Sequence, residues 1–441
     1  MSHDHFTWPE LLTLIRRCEV LDHLMVRVLV RFAEVCGRCR EGAGEFAEMI
    51  ASGEVDRTDV SPFTVGLAHS RRRVAQIWPE IEPLDPQWAR RRLAREPARW
   101  AMVERLVERS VELAASDPEA ALATADLAVE VAERLPVLHP EEPYPEDMDE
   151  VPFDEDAQLE ALALAYAARG NAYRVSERYL LAEQEFQRAD RLQVEMPTLG
   201  FYARLLSLRA SLHYDRRRFG EALECLEDAE AQLGQEGDLR ARVRIRLQRA
   251  IVLMYAGWPE HAHRLTASLQ RDYPPEIHRN RLAFAVLHAH VDVLSRLGSV
   301  EPASALLPDL RQLCAEVGQH EDSIRVSWVH ARLDFEGGDF RDALGRYALV
   351  ADQWQELGHG YKWSLVKLEM ALVHIALGET PAVRQLAHEA LPTLIALQVA
   401  PDVFGIFKLL SDSDAMDAQK VRALLRHLEA LPSSRTVEAS R

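Results

Sequence analysis

A chain of 441 residues exceeds what one hydrophobic core organises, so it must be either several domains or a repeat array whose units pack only on their neighbours. Apolar residues make up 48% and charged residues 28%, aromatic residues only 7%, and the wealth of Ala, Leu, Arg and Glu favours helix throughout. A formal charge of −18 repels a phosphate backbone over most of the surface, which argues against a nucleic-acid partner except at a local basic patch.

The chain starts MSHDHFTWPELL, without a basic region followed by an apolar core. No later stretch reaches the roughly 18 uninterrupted apolar residues of a membrane span. Five scattered cysteines, Cys18, Cys36, Cys39, Cys225 and Cys314, are too few for a disulfide framework in so long a chain. The expectation is a cytoplasmic protein with no membrane partner. Residues 1–97 show helical patterning without a repeat, as in PELLTLIRRCEVLDHLMVRVLVRFAEVCGRC, and read as an N-terminal helical domain. Cys36 and Cys39 form a Cys-x-x-Cys pair, with Cys18 and His23 upstream; such a set can complete a tetrahedral zinc site. The stretch faintly resembles a degenerate form of the zinc-binding domain of bacterial anti-sigma factors, whose pattern puts a His four residues before the pair, where Phe32 stands here. The alternative is two ordinary buried or half-buried thiols, and no metal is expected. The runs Arg71 to Arg73 and Arg90 to Arg92 read as solvated faces of amphipathic helices.

Residues 98–137 contain one helical hairpin, SDPEAALATADLAVEVAERL, with Ala121 at its close-packing position. It is set apart from the later repeats by residues 138–157, an acidic, proline-rich loop. This HPEEPYPEDMDEVPFDEDAQ segment holds four prolines, and nine carboxylates fall between Glu141 and Asp156, so it cannot be helical throughout. It reads as a solvated linker or as an acidic segment that docks on a basic surface.

From residue 158 to 398 the sequence repeats six times. Small residues of the second helix of each unit, Ala182, Ala222, Ala262, Ala303, Ala343 and Val383, are separated by 40, 40, 41, 40 and 40 residues. Gly257, Gly298, Gly338 and Gly378 each stand five residues before their marker, where a tight turn between helices favours glycine. The first unit carries Tyr166, Gly170, Tyr173, Tyr179, Phe186 and Ala189 at places where a helical hairpin needs a small or aromatic residue; Leu206, Ala210, His213, Phe219, Leu226 and Ala229 recur in the second. RGNAYRVSERYLLAEQEFQRA and FEGGDFRDALGRYALV resemble the tetratricopeptide repeat family. The resemblance implies an all-α solenoid of helical hairpins, with longer helices or loops than the family's usual period of about 34 residues. Residues 399–432 read as C-terminal capping helices and 433–441 as a disordered tail.

No catalytic constellation is present: there is no His-Glu-x-x-His, no P-loop, no dinucleotide fingerprint and no Gly-x-Ser-x-Gly elbow. His261 with His263, and His288 with His290, lie two apart on helices, so each pair points to different faces and is poorly placed to share a metal. No enzyme activity and no cofactor are expected. In the tetratricopeptide family the first helix of each hairpin lines a concave groove. That register nominates Asn171, Arg174, Arg204, Ser207, Tyr214, Arg244, Tyr255, His288, Asp292, Arg325, Trp328 and Arg332 as partner-contacting residues. Five arginines on one face of an acidic protein suit an acidic ligand, unless they pair with carboxylates of adjacent hairpins. Asn171 and Arg244 fall where the family's carboxylate clamp for chaperone tails has its residues, but Ala167, Leu208 and Gln248 occupy the other places, so that specificity is not implied. The expected function is a scaffold or adaptor that binds a protein partner, through an acidic segment, in the groove. Resemblance to bacterial repeat proteins implies a regulatory or defence-type assembly. A transcription-linked, anti-sigma-like regulator and an unrecognised hydrolase are the alternatives.

Overall fold

The computed structural model describes residues 62–114, 117–136, 155–195, 199–234 and 239–396. The Cys18, His23, Cys36 and Cys39 set, the body of the acidic loop and the C-terminal capping helices lie outside these residues. The described chain is all-helical and divides into two compact units. The first holds residues up to Leu212 together with Glu227–Arg242; the second holds His213–Leu226 and everything from Val243 on.

In the first unit α1 (Pro62–Ile81) packs on α3 (Trp100–Leu113), and α2 (Pro86–Leu93) packs on α4 (Pro118–Glu133). Asp85 caps α2, accepting from the backbone N–H of Gln87 and Trp88, and Pro86 supplies the preset φ of a first helical residue. α4 presents Ala121, Ala125, Ala128 and Ala132, spaced by three or four residues and fully buried, in the same core as Ala161, Ala165, Ala168 and Ala172 of α5 (Glu155–Val175). Two alanine stripes let helix axes approach closely, so the hairpin that stands alone in the sequence shares one core with the first helix of the array. The arginine runs tie these helices together rather than merely face solvent: Arg71 bonds Glu104, Arg90 bonds Glu130, and Arg92 bonds Glu80 and Glu96.

The array continues with α5 packed on α6 (Tyr179–Glu195), and then, in chain order, α7 (Leu199–Asp215), α8 (Phe219–Leu233), α9 (Leu239–Tyr255) and α10 (Pro259–Asp272). Then follow α11 (Arg281–Arg296) with α12 (Val300–Val317), α13 (His320–Gly337) with α14 (Phe340–Glu356), and α15 (Gly360–Leu377) with α16 (Thr380–Ala396). The 40-residue period is filled by helix: α13 and α14 run 18 and 17 residues, each followed by a turn of only two or three. Ala182, Ala222, Ala262, Ala303 and Ala343 are all fully buried, and Val383 nearly so.

The turn inside each hairpin has one geometry. Gly338, at φ 88°, ends α13 in the left-handed conformation; its N–H reaches the Phe335 carbonyl, and the Asp339 N–H reaches Asp334. In the two earliest repeats the same position holds Glu177 and Arg217, at φ 61° and 58°, and the next N–H makes the same bond back, Arg178 to Tyr173 and Arg218 to His213. Neighbouring packing therefore imposes the conformation even where no glycine asks for it. Each such residue carries roughly 1 kcal/mol of strain. A Cβ on Gly338 would meet no atom within 4 Å, so only this backbone cost applies there. Gly338→Ala is expected to lower stability by about 1 kcal/mol, read as a shift of the urea midpoint at unchanged slope.

Candidate functional site

First helices supply the polar residues singled out by register, and the second unit concentrates them. Arg332, in the middle of α13, is largely buried and donates to Asp292 Oδ1 of α11 at 2.6 Å and to Glu369 Oε1 of α15 at 2.7 Å. Glu369 accepts a second bond, 2.9 Å from Trp328 Nε1, and Asp292 accepts from Arg296 Nε at 3.3 Å. One guanidinium thus bolts three consecutive first helices together. Burial alone pushes the Asp292 carboxyl up, but Arg296 and Arg332 overcome it and hold it well below the usual carboxylate range. Burial likewise opposes the charge on Arg332, and Glu369 and Asp292 more than restore it.

Towards the start of these helices the pairing continues. Arg325 lies 3.2 Å from Glu321 and 3.5 Å from the buried Asp322; Arg281 reaches the same Asp322 at 3.2 Å; and Lys362 of α15 sits 3.3 Å from Glu321. At the opposite end Tyr214 and Tyr255 meet edge to face, with centroids 5.8 Å apart. Arg217 covers Tyr214 at 5.3 Å, and Arg296 covers Tyr255 at 5.5 Å. Burial pushes the Tyr214 hydroxyl far above its ordinary range, so it stays protonated. His288 packs 5.9 Å from Phe284, and burial lowers its pKa, so its ring is neutral near neutral pH.

In the first unit Asn171 is buried and accepts from Arg174 at 3.0 and 3.1 Å; Arg204 is exposed; and Ser207 is half-buried. Arg174 and Arg204 thus belong to the first unit and Arg244 to the second. Arg244 is exposed and, among the described residues, makes no ion pair; its neighbour Arg246 is held by Asp272 at 2.8 Å and by Ser268. The structure therefore joins Asp292 with Arg332, Tyr214 with Tyr255 and Asn171 with Arg174, and occupies Arg325 and Arg332 with the chain's own carboxylates.

Two features escaped the sequence reading. Glu369, which completes the Arg332 network, stands 37 residues after it rather than 40, so repeat register does not point to it; the lone carboxylate in the apolar helix GYKWSLVKLEMALVHIAL was the available signal. The other is a histidine pair between helices. His263 of α10 stacks on His290 of α11 at 5.4 Å, and His290 Nδ1 lies 2.9 Å from the Thr266 hydroxyl. Spacing within one helix could not reveal a partner on the next. Among the described residues no three metal-ligating side chains converge, and no helix is long and apolar enough to cross a membrane.

No family model and no curated protein matches the chain. Solved structures do. A Rap protein complexed with Competence and Sporulation Factor aligns over 75% of this chain and 88% of its own, at 12% identity and a TM-score of 0.54. The Rap conjugation gene regulator of plasmid pLS20, in complex with the Phr* peptide, aligns over 76% and 98% at 11% identity and a TM-score of 0.44. Pseudomonas aeruginosa pilF aligns over 58% and 91% at 18% identity and a TM-score of 0.36. The first of these carries the argument, and it is one of fold: the chain is an all-helical array of tetratricopeptide-type hairpins.

Proposed function

We propose that this chain is a non-catalytic cytoplasmic scaffold in a bacterial regulatory assembly, and that it holds a protein partner by an acidic segment laid on the first-helix arginines. One observation carries the reading. In a chain of net charge −18, α9 bears Arg240, Arg242, Arg244, Arg246 and Arg249 and no carboxylate, with Arg244 exposed and unpaired among the described residues. Such a local inversion of sign attracts and orients a carboxylate-rich chain, and a guanidinium fork grips each carboxylate through paired hydrogen bonds. The fold supports the same use, since the Rap protein that resembles this chain was solved as a complex with Competence and Sporulation Factor. Arg325 and Arg332 are withdrawn from this role because carboxylates of the chain neutralise them, Glu321 on the same helix for Arg325, and Asp292 and Glu369 on the neighbouring hairpins for Arg332. The anti-sigma-like reading rests on the sequence of the N-terminal region alone, and stoichiometric zinc by metal analysis is what it requires.

The test is fluorescence anisotropy with a labelled peptide of alternating glutamate and tyrosine. It should bind the full chain at low salt and release as salt rises through the physiological range, where screening sets in within about 8 Å. Arg244→Glu should weaken it about tenfold. Equal binding by the variant, or equal binding of a lysine-tyrosine peptide, would remove the proposal.

A further inference from the structure

One register position of the first helix changes residue type along the array. Thirteen residues before each marker of the first five repeats stand Arg169, Arg209, Arg249, His290 and His330, at steps of 40, 40, 41 and 40. In the first unit this position ties a first helix back to the hairpin before it by an ion pair: Arg169 lies 3.3 Å from Asp126 of α4, and Arg209 lies 3.6 Å from Asp190 of α6. In the last two of these five repeats, both in the second unit, the position is histidine, and among the described residues no carboxylate of the preceding helix pairs with it. His290 meets His263 and the Thr266 hydroxyl of α10. His330 receives a hydrogen bond from the Arg311 guanidinium of α12.

We infer that the α10–α11 and α12–α13 contacts are an acid-sensitive joint of the second unit, closed while both imidazoles are neutral and loosened when either takes a proton. Chemistry at each contact requires this. A protonated His290 would lie, 8% exposed, against a second imidazole. A protonated His330 would lose its acceptor nitrogen to Arg311 and face that cation directly. The remaining groups do not reverse the sign. α10, α12 and α13 pack on α11, and among the described residues His263 is the titratable group that acts on His290. Around His330 stand Asp334 on its own helix at 3.5 Å, Arg311 on α12, and Arg346 and Asp342 on α14. Asp334 and Asp342 favour the proton, but burial and the two arginines prevail. Burial first, and then the neighbouring imidazole or guanidinium, hold both histidines down to about 4.

The sign follows from linkage. A histidine whose pKa is near 6.5 unfolded and about 4 folded binds fewer protons in the closed state between those values. The joint keeps its full stability above that unfolded value and loses it progressively as pH falls towards the folded one. At pH 5 one such group shifts the opening equilibrium by up to about thirtyfold; partial solvent access reduces this, and about tenfold is expected.

Amide hydrogen exchange of the full chain, corrected for intrinsic rates, reads the opening directly. Between pH 7 and pH 5 the protection of α11 and α13 should fall about tenfold, while α5, where Arg169 holds the equivalent position, should keep its protection. The paired substitutions His290→Gln and His330→Gln should abolish the pH dependence in α13 and reduce it in α11, where the buried His288 keeps a share. Equal loss in α5, an unchanged pH dependence in the double variant, or no loss in α11 and α13 would overturn the inference. Should the double variant fail to fold, imidazole proton titration of the wild type decides: midpoints well below 6 for His290 and His330 support the joint, and midpoints at or above 6.5 refute it.

Discussion

Arg332→Met is expected to lower stability by about 3 kcal/mol, near the lower end of what removal of one partner from a buried ion pair costs. Methionine keeps much of the volume, so the effect is electrostatic. It would leave Asp292 and Glu369, 9% and 7% exposed, without their common cation. Asp292 would still have Arg296, and Glu369 would still have the Trp328 N–H, which is why the loss stays well short of two fully stranded charges. Removing Arg332 raises the folded-state pKa of Asp292, so the deficit should grow as pH rises through that raised value and shrink on acidification. Urea denaturation at pH 7 and pH 5 measures both. The neutral triple variant Arg332→Met, Asp292→Asn, Glu369→Gln should recover most of the stability, because an apolar and amide replacement no longer strands a charge. If the single variant is as stable as the wild type at pH 7, the network is not what joins α11, α13 and α15.

The repeat was legible because its causes are local. A close crossing needs alanine, a left-handed cap prefers glycine, and both recur at a fixed step in the sequence. What the sequence hid is what depends on a neighbour. Glu177 and Arg217 take the glycine conformation because the adjoining helices require it, although neither residue type announces a turn. Glu369 sits one helical turn out of register with Asp292 and Arg332, and only the packed hairpins bring its carboxylate to the guanidinium. Register nominates the stripe of arginines as a set, but whether Arg332 faces a ligand or a carboxylate of its own chain is decided by side chains 40 and 37 residues away. Arg332 and Lys362 were claimed by the fold in this way, at Asp292 and Glu321, while Arg244 was not.

Gly170→Ala is expected to reverse its sign with the residue opposite it. Gly170 lies buried inside α5, where alanine would favour the helix by about 1 kcal/mol. A Cβ there, however, would stand 2.7 Å from Phe186 Cε1, 2.8 Å from Phe186 Cδ1 and 3.3 Å from the Ala182 carbonyl oxygen. Phe186 is 2% exposed, packed with Ala163, Ala167, Ala189 and Leu205, so its ring cannot swing aside without displacing other core residues. Overpacking of this kind costs about 1–3 kcal/mol and outweighs the helical gain. The single variant should therefore lose about 1–2 kcal/mol. In a Phe186→Leu background, itself destabilised by the smaller side chain, the ring contacts are gone and only the 3.3 Å approach to the Ala182 carbonyl remains, so Gly170→Ala should stabilise by up to about 1 kcal/mol. The double-mutant cycle should thus show a coupling of about 2–3 kcal/mol. Additive effects in the two backgrounds would mean that α5 and α6 do not cross at Gly170, and the register of the first repeat would have to be redrawn.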